Sequence, residues 1–362
     1  MNELRDEVTR FLRHHGIRLN TDLGQHFLVD ETALALIVET ACITAEDRVV
    51  EIGPGMGILT RELAKRAQKV SAVELDERMV PLLKDFLSGE DKDLLTKVTV
   101  TRGNALHVPL PSEPYKIVAN IPYHITSPLL RHVFLESTMT PKTMTLLIQK
   151  EVAENICDIP SIPQSPSSSG SLLYPPTHIS SGSLLYPPTP FSFGERGVLP
   201  VLERLLKRRQ EVLHDRKYAP PPQEEGLGVE ETNKGGGRKA PWGPRPFTGV
   251  RGGGGMLSIL VGLFGTPRYI CTVHSGAFLP PPKVDSAILH VECFPSPLAG
   301  KDVIDRIFTL TKAGFGQKRK MLRNTLGKLP EGMEKLQKAG IDPERRPQTL
   351  SVPEWIALAM SW

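Results

Sequence analysis

No run of about 18 apolar residues occurs in the 362-residue chain, so nothing in it reads as a membrane-spanning helix. Cysteine is scarce: Cys42, Cys157, Cys271 and Cys293 include no CxxC pair, which argues against a zinc site and against a disulfide framework. Four scattered thiols of this kind predict buried, free cysteines. The opening residues, 1–16, are charged and lack the apolar stretch of a secretory signal, which predicts a cytosolic protein.

What is present is ordinary for a globular chain, with 40% hydrophobic and 23% charged residues. The formal net charge of +4 permits a polyanionic partner without demanding one. The length allows two domains, or one domain carrying a large insertion.

Short aliphatic runs at 48–52, 69–74, 97–102, 115–120 and 143–148 alternate with helix-like stretches. That alternation predicts βαβ units and a mainly parallel sheet, with ligands at the carboxyl ends of the strands. Two later runs, 268–273 and 287–292, read as a closing hairpin of the same sheet. Between them residues 159–255 are rich in Pro, Gly and Ser, and SGSLLYPPT at 169–177 recurs at 181–189. Two copies cannot build a solenoid, and the composition predicts a disordered insertion with one basic helical piece at 198–215. From 296 onward the pattern is helical, with expected helices at 302–312, 317–326, 332–339 and 353–360. The expected division is therefore 1–158 and 256–295 for the sheet domain, 159–255 for the insertion and 296–362 for a small helical domain.

Glu51-Ile52-Gly53-Pro54-Gly55-Met56-Gly57 follows a strand and precedes a helix. Glycines there let the backbone turn sharply and approach a ligand. Nicotinamide, flavin and sulfonium cofactors all use such loops, and a glycine turn without a ligand is the structural alternative. Glu74, at the end of the next strand, can accept from ribose hydroxyls. Glu51 immediately before the loop tilts the choice toward S-adenosylmethionine, because dinucleotide sites need the loop for pyrophosphate. Asn104, in Gly103-Asn104-Ala105-Leu106, ends the third strand where a polar side chain would meet an adenine amine.

Asn120-Ile121-Pro122-Tyr123 ends the fourth strand. The N6 amine of adenine is a poor nucleophile because its lone pair is delocalised into the ring. The side-chain oxygen of Asn120 and the carbonyl of Ile121 could hold its two hydrogens, and Pro122 would stiffen the turn. Tyr123 offers a ring face for the base, worth about 1–3 kcal/mol of stacking. An Asx-Pro turn after a strand is the alternative for the tetrapeptide alone.

LGQHFL at 23–28, EIGPGMGILT at 51–60, ELD at 74–76, NIPYHITSPLL at 120–130, QKEVAENI at 149–156 and FLPPPKVDSAILHV at 278–291 occur in order. Together they make the chain resemble the ribosomal RNA adenine dimethyltransferases over nearly all of 10–155 and 256–355. The resemblance implies an α/β, Rossmann-like S-adenosylmethionine-dependent methyltransferase sheet with a small C-terminal α-helical domain. It implies S-adenosyl-L-methionine as cofactor and no metal. It assigns His26, Leu28, Gly53, Gly55, Glu74, Asn104 and Asn120 to the cofactor. Asn120, Ile121, Pro122, Tyr123 and Phe278 go to the reacting base, with Phe278 either stacking on its second face or simply buried as a core aromatic. Asn104 departs from the usual aspartate and implies weaker cofactor binding; Asn155 departs from an arginine.

Lys312, Arg319 and Arg323 fall at i, i+7 and i+11, a single helical stripe that would follow RNA phosphates or form a solvated basic face. Phe308, Phe315, Leu322 and Leu326 read as core. GQKRKMLRNTL at 316–326 and GIDPERRPQTLSV at 340–352 resemble the small-subunit branch. The implied activity is dimethylation of two adjacent adenosines near the 3′ end of 16S RNA, by a monomer acting on a pre-30S particle during ribosome biogenesis. A large-subunit RNA enzyme, a DNA adenine methyltransferase and an assembly factor with weak catalysis remain as alternatives.

Overall fold

The computed structural model describes residues 3–21, 24–89, 92–158, 255–317 and 319–362. The repeat-bearing segment 159–254, expected to be a disordered insertion, lies outside the described residues. The elements in order are α1 (Glu3–His14), β1 (Phe27–Leu28), α2 (Glu31–Thr40), β2 (Arg48–Ile52), α3 (Ile58–Ala64), β3 (Lys69–Glu74), α4 (Met79–Ser88), α5 (Lys92–Lys97), β4 (Val98–Arg102) and β5 (Lys116–Asn120). Then follow α6 (Thr126–Arg131), β6 (Thr143–Gln149), α7 (Lys150–Cys157), α8 (Met256–Phe264), β7 (Gly265–Val273), β8 (Phe278–Leu279), β9 (Ser286–Cys293), α9 (Lys301–Phe315), α10 (Gly332–Lys338) and α11 (Val352–Met360).

Seven strands form one sheet in the order β4-β3-β2-β5-β6-β9-β7. The first five run parallel, and β9 is antiparallel to both β6 and β7. Central strands of a parallel sheet are covered on both faces, which is why RVVEI and KIVAN read as nearly continuous apolar runs. Val49, Val50, Ile117, Val118, Ala119 and Leu146 are accordingly buried. The strand order reverses between β2 and β5, so a crevice opens at their carboxyl ends. This is the Rossmann-like α/β arrangement expected from the sequence. Local signals fix helix ends: Asp30 accepts from the Ala33 amide at 2.9 Å, and Glu354 reaches back to the Ser351 amide at 2.7 Å to start α11.

In the C-terminal region, Ile304, Ile307, Leu322, Leu326, Trp355 and Leu358 share a buried cluster with the sheet residues Ile117 and Leu146. One expected helix is absent. Residues 317–326 do not continue as an α-helix but form short 3-10 turns at Leu322–Asn324 and Leu326–Lys328. The reason lies in the backbone donors: Leu322 N–H goes to the Arg345 carbonyl at 2.8 Å and Arg323 N–H to that of Pro343 at 2.9 Å, so neither closes an i−4 ring. The basic stripe through Lys312, Arg319 and Arg323 is therefore not helical, and Arg323 is ion-paired with Glu344. Leu322 and Leu326 are fully buried as expected, while Phe308 and Phe315 are partly so. The cysteines are free, but Cys42 is exposed at the end of α2, against the expectation of burial; only Cys271 is buried.

Candidate active site

A cleft of about 740 Å³ opens at the carboxyl ends of β2, β3, β4 and β5. His26, Gly53, Gly55, Glu74, Asn104, Asn120 and Pro122, all singled out from the sequence, line it.

The glycine loop follows β2 with Gly53 at φ 68° and Gly55 at φ 57°, in the left-handed region that side chains disfavour. A Cβ on Gly55 would also come within 2.5 Å of the Phe27 ring. Glu74, buried at the end of β3, accepts from the amides of Gly55 at 2.9 Å and Asp76 at 2.8 Å. Burial raises its pKa above the ordinary carboxylate value even though those amides oppose the shift. Glu51 is 1% exposed, and its Oε2 has no hydrogen-bond partner among the described residues. Burial, reinforced by Glu74 and only partly opposed by the Thr60 hydroxyl, pushes Glu51 up to about 8. Burial beneath the loop thus favours the neutral form of this carboxyl.

Beyond Glu74 the side chain of Leu75 is 57% exposed and lies along the cleft, an apolar surface facing a ligand-sized space. On the opposite side, the Asn104 side-chain oxygen accepts the Leu106 amide at 3.0 Å. The shape and chemistry of this lining, with a buried acid, a bent glycine loop and an uncovered aliphatic wall, fit a nucleoside-type ligand.

Asn120 closes β5. Its side-chain N–H donates to the His26 carbonyl at 3.0 Å, which leaves Oδ1 as the acceptor available to the cleft. The Ile121 amide donates to the Leu147 carbonyl at 3.1 Å, anchoring the tetrapeptide to β6. Tyr123 stacks on His26 with ring centroids 6.2 Å apart and 20° between planes, and its hydroxyl bonds the Ser286 hydroxyl at 2.6 Å. His26 Nδ1 lies 2.8 Å from the Pro280 carbonyl, which can only accept, so Nδ1 carries the proton.

Several expected residues stand elsewhere. Leu28 and Phe278 face each other in the β1–β8 ladder, 5% and 1% exposed, and neither lines the cleft. The Phe278 ring packs as a core aromatic and has no free face for a base, which is the second of the two readings given above. Ile121 points its side chain into the core. Lys312 and Arg319 are exposed on and just after α9. Conversely, Gln25, Phe27, Leu75, Asp76, His124 and Ile125 line the cleft and were not singled out from the sequence. Gln25 and Phe27 sit inside the LGQHFL motif, but a two-residue strand gives no periodicity from which to read side-chain direction. Among the described residues no cluster of His, Cys, Asp and Glu could hold a metal.

Comparison with known proteins follows the same lines. The family model for ribosomal RNA adenine dimethylase matches residues 16–169 and 252–361. "Ribosomal RNA small subunit methyltransferase A" of Dehalococcoides mccartyi (strain ATCC BAA-2100) is 28% identical over 98% of this chain and 92% of its own length. The protein of that name from Listeria innocua is 29% identical over 97% of this chain and 93% of its own. Among solved structures, the 23S rRNA methyltransferase ErmE superposes with a TM-score of 0.56 at 22% identity, over 92% of this chain and 98% of that one. A dimethyladenosine transferase from Plasmodium falciparum also gives 0.56, at 21% identity over 91% and 94%. At such identities the two structures speak for the fold alone. By its motifs in order, its sheet, and a family match over most of its length, the chain belongs to the ribosomal RNA adenine dimethylase family.

Proposed function

We propose that the protein transfers methyl groups from S-adenosylmethionine to the N6 amines of two adjacent adenosines near the 3′ end of 16S RNA, in an assembling small ribosomal subunit. The observation that supports this reading is the Asn120–His26 hydrogen bond, which holds the cleft-lining side chain at the end of β5 through its amide nitrogen and leaves Oδ1 as an acceptor. When bound, S-adenosylmethionine supplies an already activated methyl group. Gly53 and Gly55 would give it a close backbone approach, Glu74 would accept from its ribose hydroxyls, and Leu75 would cover its base.

On the substrate side, Asn120 Oδ1 and the Ile121 carbonyl accept the amine hydrogens, and Tyr123 offers its ring to the base. Each such hydrogen bond contributes about 1 kcal/mol net. Correct placement of amine against donor is worth roughly 7–11 kcal/mol. Positioning dominates, and no strong general base is needed.

The choice of the small-subunit substrate rests on the curated relatives, whose names carry it. The fold does not discriminate, since a 23S enzyme superposes equally well. Primer extension across the 3′ end of 16S RNA from cells lacking this protein should read through where wild-type RNA stops. An unchanged stop there, with a lost modification in 23S RNA, would transfer the assignment to the large subunit.

A further inference from the structure

Ser286 opens β9 and is fully buried. Because β9 runs antiparallel to both neighbours, its first residue stands opposite Gln149 and Val273, which end β6 and β7. The serine is thereby brought to the carboxyl edge of the sheet, the edge on which Asn120 ends β5. Neither Ser286 nor Tyr123 lines the cofactor cleft. A buried hydroxyl needs a hydrogen-bond partner, and the Tyr123 hydroxyl supplies one at 2.6 Å.

The chain entering Ser286 is pinned from three directions through Asp285. The Asp285 carbonyl accepts the Lys150 amide at 3.0 Å, Oδ1 accepts the Ser275 amide at 3.0 Å, and Oδ2 lies 3.2 Å from His274 Nδ1. A phenol oxygen lies on the axis about which a tyrosine ring turns. A bond at that oxygen therefore sets the direction of the axis and leaves rotation about it open. That rotation is a broad torsion in tyrosine, and the His26 ring, 6.2 Å away with 20° between planes, faces the ring and restricts it. Ser286 and His26 thus restrain two different coordinates of one side chain.

Resting on the reading of Tyr123 as the face offered to the base, we propose that Ser286 is a positioning residue: it sets the tilt of the Tyr123 ring, and so the placement of the target adenine, without touching cofactor or RNA. Its hydroxyl acts on the transfer step through the tyrosine alone.

The test is single-turnover methyl transfer by the full chain from labelled S-adenosylmethionine to unmethylated small ribosomal subunits, at saturating concentrations. Wild type is compared with Ser286→Ala, Tyr123→Phe, the double variant and Ser286→Thr. Each single removal should slow transfer about tenfold, less than the roughly hundredfold that a displacement of 1 Å can cost. Affinities for the subunit and for S-adenosylhomocysteine should stay within about twofold. The double variant should be no slower than either single one, because both changes remove the same bond. Ser286→Thr restores a hydroxyl and should recover transfer to within about threefold of wild type. A double variant slowed about a hundredfold would mean two independent effects and overturn the proposal. So would wild-type rates in both single variants, and Tyr123→Phe, which loses only one oxygen, keeps this outcome readable if Ser286→Ala folds poorly. Absence of transfer to small subunits by the wild type would instead overturn the function proposed above.

Discussion

The side-chain amide of Asn120 donates to the main-chain oxygen of His26 at 3.0 Å, so a residue that ends a central strand is oriented by one from the N-terminal segment 94 positions earlier. Truncating Asn120 removes both the cleft-facing oxygen and that tie. Asn120→Ala should lower methyl transfer at least about a hundredfold, the penalty typical of a reacting group misplaced by an ångström. Binding of S-adenosylhomocysteine by calorimetry should stay within about tenfold of wild type; wild-type turnover in the variant would remove Asn120 from the reaction.

Gly55→Ala combines a left-handed φ with a clash against the Phe27 ring. The conformational part alone is worth about 1–2 kcal/mol, so the melting temperature should drop by about 3–8 °C. Phe27→Ala in the same chain should recover the steric share and leave the conformational one. A double variant no more stable than Gly55→Ala would show that the ring is not what limits this turn.

The buried Glu51 gives a pH signature. Its pKa is raised to about 8 in the folded chain from an ordinary 4.5, so between those values the folded form keeps a proton that the unfolded form has lost. Stability from this group is therefore full below pH 4.5 and lost as pH rises toward 8. Urea unfolding across pH 5–8.5 should show Glu51→Gln with a flatter decline than wild type and a relative gain at the alkaline end. Parallel profiles would mean that Glu51 finds a charge partner in solution.

Arg323 spends its charge on Glu344, whereas Lys312 and Arg319 are exposed. If the latter two meet phosphates, removing both should reduce the slope of log K against log salt by about 1.4–1.8 for RNA binding. Arg323→Ala should change it little. The reverse ranking, measured by filter binding, would place the RNA on the Arg323 side.

Much of this was legible in the chain. The parallel strands read as apolar runs because both faces are covered, and β2 and β3 were delimited to the residue. The glycine loop, Glu74 and Asn120 were found because each ends such a strand, where the fold itself brings them to one edge. What escaped depends on partners far off in sequence. The turn at 322–328 takes its donors to 343–345, Phe278 is fixed by Leu28, and Gln25 by Asp76. No local period encodes such pairings.

The position of β9 has a consequence for synthesis on the ribosome. β6 ends at residue 149, and the strand that covers its free edge does not begin until residue 286. At about 5–20 residues per second, the nascent sheet waits on the order of ten seconds with TMTLLIQ unpaired along one side. Such an edge is a template for pairing with other chains, so a product terminated anywhere in that interval should aggregate even though its glycine loop and Asn120 are complete.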